Sequence, residues 1–401
     1  MDEGDALAPL RASFLLQPDE IYLDGNSLGP LSVEAKQRVE TTLNEEWAKG
    51  LVRSWNAAGW MDQPLSVGAR LATLIGAGAS DVVCADTLTF MLAKLIGGAL
   101  ELRPDRHVLI TDAANFHSDV YIAEAIAARA GRPVEVRAID RSTLAEHLSD
   151  DVALVMLTHV DFRTGEQLDL FSITAAVHAA GALMLWDFAH STGAVPLDVV
   201  GADVDFAAGC GYKYLNGGPG APAYGYIAPR WQNVITNPLP GWLGHARPFD
   251  FTLDYVPALG MRSFVTSSPS ILALSALDGA LDVFARTSMD QMRSKSLALT
   301  DLFITLVEER LEGQFEVVTP RDHARRGSQV SLRHGESYGI IQALIARGVT
   351  GDFRDPDIAR FGFAPLYLRF VDVYDAVDHL VEVMANAEYR HESFTHRNPV
   401  T

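Results

Sequence analysis

Lys213 lies between two tyrosines in Gly209-Cys210-Gly211-Tyr212-Lys213-Tyr214, ahead of the turn-rich run Asn216-Gly217-Gly218-Pro219-Gly220-Ala221-Pro222. A run of that composition keeps backbone close and shaped around something. Lysine changes protonation readily when enclosed, and a neutral amine is what Schiff-base chemistry with a carbonyl cofactor needs. Most lysines are simply exposed, so the reading depends on partners. The first is Asp187, which ends the apolar run Ala182-Leu183-Met184-Leu185-Trp186. In a parallel sheet both side chains emerge at the carboxyl edge, where such folds bind ligands. Pyridoxal phosphate asks for this pair: the lysine holds its aldehyde, and the carboxylate keeps its ring nitrogen protonated so that the ring can accept electrons. A strand-end aspartate can equally cap a helix.

The phosphate of such a cofactor needs backbone donors at a helix start. Asp86-Thr87-Leu88-Thr89 precedes a helical stretch over 90–100 and offers hydroxyls as well as the helix dipole, although the same threonines can act as plain caps. Asn115-Phe116-His117-Ser118-Asp119 follows the next strand, so Phe116 can lie on the ring face with Asp119 beside the hydroxyl edge. A core phenylalanine and another helix cap would use the same residues.

Positioning these groups falls to an alternation of short apolar runs and helical stretches over about 80–230, the pattern of a parallel sheet covered by helices. Strands are predicted over 82–84, 108–110, 134–136, 153–157, 182–186, 204–207 and 224–227, several apolar on both faces as doubly covered strands must be. Helices are predicted over 32–49, stopped by Gly50; from Pro64 to Gly76; over 118–130, capped by Ser118 and stopped by Gly131; and over 171–180, stopped by Gly181. The span 236–269, rich in Pro, Gly and aromatics, is too long for a passive connection, which suits a functional or interface role. One long helix is expected over 271–311. Beyond it, strands over 315–318, 329–332 and 358–361, a helix over 338–346 and a closing helix after Asp372 make a smaller α+β domain. The expected division is an N-terminal arm and helix (1–60), a large cofactor-binding domain (61–270), and a linking helix with a small C-terminal domain (271–401).

At 401 residues the chain is long enough for two or three domains and a large core. Its 48% hydrophobic content argues against extended disorder. With 32 basic residues against 51 acidic and a formal charge of −19, its field repels polyphosphate, which argues against nucleic acid and anionic membrane as partners. Met1-Asp2-Glu3-Gly4-Asp5 lacks the basic and apolar regions of a signal peptide, and no apolar run approaches the roughly 20 residues of a membrane span, so a cytoplasmic location is expected. Cys84 and Cys210 are too few for a disulfide framework and have no CxxC partner; either can be a nucleophilic thiol or a small buried hydrophobe. The 12 histidines show no metal-ligand spacing, and no metal is expected.

Taken together these residues resemble the fold type I pyridoxal phosphate enzymes, and more closely the kynureninase family. The resemblance rests on Tyr22-Leu23-Asp24-Gly25-Asn26-Ser27-Leu28-Gly29, Arg53-Ser54-Trp55-Asn56, Trp186-Asp187-Phe188-Ala189-His190-Ser191, the Lys213 segment, Gly241-Trp242-Leu243-Gly244-His245, and Arg360-Phe361-Gly362-Phe363-Ala364-Pro365-Leu366-Tyr367. These span nearly the whole chain in the expected order. The fold it implies is α/β, a large domain with a mainly parallel seven-stranded sheet plus a smaller α+β C-terminal domain. It implies that Lys213 is the Schiff-base lysine, Asp187 the pyridinium partner and His190 a neighbour on the ring side. It further implies that Leu88 and Thr89 hold the phosphate, Phe116 stacks on the ring, Asp119 and Thr158 contact the cofactor, and Tyr212 contacts the phosphate and moves a proton. Arg360 matches the arginine that grips the substrate carboxylate, a role suited to its fork; Ser27 and Trp55 match positions near the substrate's aromatic end. The family's active site is completed across a homodimer, so Trp242 and Ser268 would reach the phosphate of the neighbouring subunit.

The family belongs to tryptophan catabolism and cleaves L-kynurenine with water to anthranilate and L-alanine; a 3-hydroxylated substrate would give 3-hydroxyanthranilate. The freed lysine takes the α-proton, and after Cβ–Cγ cleavage Tyr212 and Lys213 are the candidates to protonate Cβ. Met91, His117, Phe162 and Ser268 depart from the residues usual in the family. None removes a catalytic group, though Ser268 and His117 could alter the ring pocket. Two rivals accompany this reading. One is another enzyme on the same scaffold, a hydrolase of a substituted kynurenine or a cysteine desulfurase, the latter needing a mobile thiol that Cys210, on a predicted strand, is poorly placed to be. The other, a non-catalytic cofactor-binding protein, has no need of the carboxylate clamp at Arg360.

Overall fold

The computed structural model describes residues 1–394 and 396–397. Its centre is a sheet of seven strands: β1 (Val82–Cys84), β2 (Val108–Asp112), β3 (Glu135–Ile139), β4 (Val152–Thr158), β5 (Leu183–Asp187), β6 (Phe206–Cys210) and β7 (Ala223–Ile227), in the order β1-β7-β6-β5-β4-β2-β3. Strands β2 to β6 run parallel. β7 opposes β6, and β1 opposes β7. Every residue of β4 to β7 is buried, because helices cover both faces. Alternation then divides each strand between two cores. Leu183 and Leu185 join Leu92, Ile96 and Leu154 on one face, while Met184 and Trp186 join Leu71, Leu277 and Phe284 on the other.

The longer helices are α1 (Val33–Thr41), α2 (Gln63–Ile75), α3 (Leu88–Glu101), α4 (His117–Ala127), α5 (Leu170–Ala179), α6 (Ile271–Phe284), α7 (Met289–Arg310), α8 (Ser337–Ala346) and α9 (Phe370–Ala385). The stretch predicted as one helix over 32–49 changes character midway. Ser32 caps α1 through the Ala35 N–H, and a wider π-type coil, Thr42–Gly50, succeeds it. Thr41 and Thr42 hydroxyls donate back to the carbonyls of Gln37 and Arg38, competing with the regular ladder. The single helix predicted over 271–311 is two: Ser288 and Gln291 form a reciprocal capping box that starts α7 afresh. Ser118 is not the cap of α4, which begins one residue earlier, after Phe116. Asp169 caps α5 by accepting from the Phe171 and Ser172 N–H groups.

The C-terminal part carries an antiparallel sheet of β8 (Glu316–Val317), β9 (Gln329–Arg333), β10 (Asp352–Arg354) and β11 (Ile358–Gly362), in the order β10-β11-β9-β8. β10, which the sequence pattern did not predict, places Asp352 opposite Arg360. The N-terminal arm binds here. Ile21–Tyr22 pairs in parallel with Val349–Thr350, Asp2 accepts from the Phe370 and Val371 N–H groups at the start of α9, and Asp5 forms a buried 2.6 Å ion pair with Lys295. Among the described residues no helix is long and apolar enough to cross a membrane.

Candidate active site

Three parallel strands deliver the chemistry to one edge. β4 ends at Thr158, β5 at Asp187, and β6 at Cys210 just before Lys213; register sets Thr158 beside Asp187 and Asp187 beside Ala208. A cavity of about 460 Å³ opens there. Leu88, Thr89, Phe116, Thr158, Asp187 and His190 line it with Tyr212 and Lys213, and Ser27 and Arg360 close the far side. A larger cleft, about 990 Å³ around Arg141 and Glu166, contains none of these groups.

Lys213 Nζ is 2.7 Å from His190 Nε2. Burial lowers the lysine's pKa against the opposing pull of Cys210 and Asp187, so its neutral, nucleophilic form is reached at lower pH than for an exposed lysine. His190 is buried, its Nδ1 has no partner, and burial followed by the charge of Lys213 holds its pKa well below the ordinary value. A neutral imidazole therefore faces the lysine. Asp187 accepts the Ala189 N–H at 2.8 Å and lies 3.5 Å from the Thr158 hydroxyl. Burial raises its pKa, with Lys213 opposing. Asp119 shares the enclosure, and burial and then the charge of Asp187 push its carboxyl well above the usual range; its Oδ2 is buried without a partner. Two enclosed carboxyls disfavour each other's ionisation, and a cationic ring nitrogen would relieve that.

At the other end Thr87 is the N-cap of α3, in extended backbone and with no side-chain cap bond. The first-turn N–H groups and the helix dipole are thus left to an anion beside Leu88 and Thr89. Asp86, at φ +58°, turns the chain into this helix and is paired with the buried Lys94, whose ammonium also donates to the Phe264 carbonyl at 2.7 Å. Phe116 meets Phe162 edge-on at 5.2 Å between ring centres. The uncapped helix start, the orphaned Asp119 and His190 atoms and the enclosed lysine fit pyridoxal phosphate.

Arg360 is 1% exposed and heavily engaged. Its Nε and Nη2 donate to the two oxygens of Asp352 at 2.7 and 2.5 Å, Nη2 also to Ser27 Oγ at 2.8 Å, and Nη1 to the Phe162 carbonyl at 2.6 Å. Arg354 reaches the same Asp352 at 2.8 Å and lines the cavity. Sequence reasoning missed Asp352 and Arg354. No local signal marked them: the three-residue strand that carries both acquires meaning only by pairing beside Arg360.

Not every expected residue gathers here. Trp55 packs on Trp60, with ring centres 5.8 Å apart, and does not line the cavity. Trp242 is 39% exposed and packs on Phe249, while Ser268 is exposed; neither lines the cavity of its own chain. Met91 is turned away from the cavity, buried over Gly225 of β7. His117 is exposed against Phe116 and Tyr121.

Beneath the site His159 is wedged between Trp186 and Phe188 and paired with Ser191 Oγ at 2.9 Å. Burial pushes its pKa from 6.5 down to about 4. The unfolded chain therefore takes up a proton that the native one refuses, so stability is lost as pH falls from 6.5 toward 4, by about 3 kcal/mol. Urea midpoints measured across that interval should fall in the wild type and fall less in His159→Gln.

Residues 292–380 match the model of the kynureninase C-terminal domain. A kynureninase of Burkholderia mallei (strain SAVP1) is 47% identical over 407 aligned residues, covering 100% of this chain and 98% of that protein. One from Pseudomonas fluorescens is 46% identical with the same coverage. Among solved structures, the apo cysteine desulfurase of Thermococcus onnurineus NA1 superposes with a TM-score of 0.81 at 18% identity, covering 94% of this chain and 98% of that one. A C-DES mutant with glycine covalently linked to its PLP cofactor gives 0.79 at 19%, covering 93% and 99%. These structures share the fold, and the relatives that align from end to end at nearly half identity decide the rest: the chain belongs to the kynureninase family.

Proposed function

We propose that this cavity hydrolyses the Cβ–Cγ bond of L-kynurenine, giving anthranilate and L-alanine, with pyridoxal phosphate as cofactor. The observation that carries the reading is the meeting of Lys213, Asp187, Tyr212 and Arg360 at one cavity. Pyridoxal phosphate, held through Lys213, supplies an electron sink for negative charge developing on the substrate carbons. With the cofactor bound, the start of α3 with Leu88 and Thr89 would hold its phosphate, Phe116 would stack against its ring, Asp119 and Thr158 would be its further polar contacts, and Asp187 would keep its ring nitrogen protonated. Arg360 would draw the substrate α-carboxylate to its side of the cavity, with Ser27 alongside. Lys213 would carry the α-proton of the substrate through its amine, which the neutral His190 imidazole holds at 2.7 Å.

Tyr212 is the donor for Cβ. Burial raises its pKa, so the phenol keeps its proton at neutral pH. Tyr212→Phe should lower kcat by about 10²–10⁴-fold while cofactor absorbance persists; unchanged turnover would remove Tyr212 from the mechanism.

We place the enzyme in the cytoplasm and infer that it works as a homodimer. Phe249, Phe251, Leu253 and Leu259 are exposed along the segment that carries Trp242, an apolar surface that a second copy would cover, bringing Trp242 and Ser268 to the neighbour's phosphate. Sedimentation should give twice the chain mass for the wild type. Phe251→Asp combined with Leu253→Asp should give monomers with little activity, and an active monomer would refute the shared site.

A desulfurase is disfavoured by its missing thiol: Cys84 and Cys210 are both buried, and burial raises both pKa values. The deciding experiment compares turnover of L-kynurenine, 3-hydroxy-L-kynurenine and L-cysteine by the cofactor-loaded protein. Anthranilate from L-kynurenine is expected, and alanine from cysteine alone would overturn the proposal.

A further inference from the structure

Asn26 is 0% exposed, lines the Lys213 cavity, and has no hydrogen-bond partner at either end of its amide. A buried amide with both ends unpaired is costly to retain unless something entering the cavity pairs with it. Its surroundings indicate what enters. A Cβ on Gly362 would lie 2.0 Å from Asn26 Oδ1, so the oxygen end rests over β11 close to Arg360 and the Nδ2 end is the one left to offer. The adjoining Ser27 bridges the same corner, accepting from Arg360 Nη2 at 2.8 Å and donating to Asp352 Oδ2 at 2.5 Å.

The charge of that corner is unbalanced. Arg360 and Arg354 both face Asp352. The other nearby carboxyl, Asp24, has an oxygen buried without a partner, and burial and then the charge of Asp352 push its pKa to about 8. Two guanidiniums against one ionised carboxylate leave a positive excess that calls for an anion. Arg360 cannot hold that anion with a free fork, because Nε and Nη2 are given to Asp352 and Nη1 to the Phe162 carbonyl.

We propose that Asn26 is a substrate-recognition residue, its Nδ2 donating to the substrate α-carboxylate beside Arg360. The inference rests on the kynurenine-hydrolase reading and adds a residue to it.

The test uses the cofactor-loaded wild type, Asn26→Ala and Asn26→Asp. Two ligands are compared: L-kynurenine, and 4-(2-aminophenyl)-4-oxobutanoate, which keeps the carboxylate but lacks the reacting amine. Asn26→Ala should raise KM for the first and the inhibition constant of the second by the same factor, roughly ten- to a hundredfold, with kcat within about threefold and cofactor absorbance retained. The methyl ester of the inhibitor should not distinguish the proteins. Asn26→Asp keeps the shape but sets an acid against the carboxylate, so it should bind both ligands more weakly still. It also keeps the test open if the alanine variant folds poorly. Unchanged constants in Asn26→Ala, or an Asn26→Asp protein that binds like wild type, overturn the proposal. A wild type that leaves L-kynurenine intact overturns the underlying function, whereas an active wild type with indifferent Asn26 variants overturns this inference alone.

Discussion

Lys213→Ala should lose the imine absorbance of the loaded protein and at least about 10⁴-fold in turnover, because the proposed function gives one side chain the roles of covalent anchor and proton carrier. Lys213→Arg separates charge from chemistry: it keeps a cation beside His190, which lies 2.7 Å from the native amine, yet offers no nucleophilic nitrogen and should be equally inactive. Burial lowers the pKa of Lys213, so the amine becomes free on raising pH through a value below the ordinary lysine range, and activity should rise with pH there. A small primary amine added to Lys213→Ala should restore part of the turnover. Activity within tenfold of wild type in the alanine variant, or a colourless wild type that cannot take up pyridoxal phosphate, would sink the account of the cavity.

Asp352→Ala should be the most damaging change away from the cofactor. The carboxylate is 2% exposed, bonds the Nε–Nη2 edge of Arg360 with both oxygens and receives Ser27 and Arg354. Removing one partner of a buried ion pair strands the other, at a cost of about 3–5 kcal/mol, and here the stranded group is Arg360, whose side chain is 1% exposed. Chemical denaturation should register that loss, and KM for L-kynurenine should rise because Arg360 loses the group that orients it. Burial resists ionisation of Asp352, but Arg360 and Arg354 prevail and hold its pKa below the usual carboxylate range. Its contribution is accordingly present at neutral pH and disappears as acid protonates it. A loss under about 1 kcal/mol with unchanged KM would show that Arg360 is held by something else.

The cofactor half of the site was legible in the sequence because each of its groups closes or follows a regular element. Thr158 and Asp187 end strands apolar on both faces, Lys213 follows another, and Leu88 and Thr89 open a helix. Periodicity finds such elements and their ends. The substrate half was legible only in part: Arg360 and Ser27 came through the resemblance, whereas Asp352 and Arg354 join them only through pairing between distant segments. β10 has three residues, Asp-Phe-Arg, and no β-branched side chain, so nothing local announces a strand; its meaning comes from register with Arg360. Asn26 belonged to a recognisable segment, but its unpaired amide is a fact of burial. The break between α6 and α7 was hidden for another reason: both helices carry buried apolar faces, and only the Ser288–Gln291 capping box separates them.

The two halves are also separated in the order of synthesis. The seven-stranded sheet is complete once Ile227 has been made, whereas the corner around Arg360 joins Ser27 to Asp352, 325 residues apart in sequence and 2.5 Å in space. At roughly 5–20 residues per second, the stretch from Ile227 to Asp352 takes roughly six to twenty-five seconds to emerge. During that interval the emerging chain carries Lys213 and the start of α3 but lacks Arg354 and Arg360, which line the same cavity.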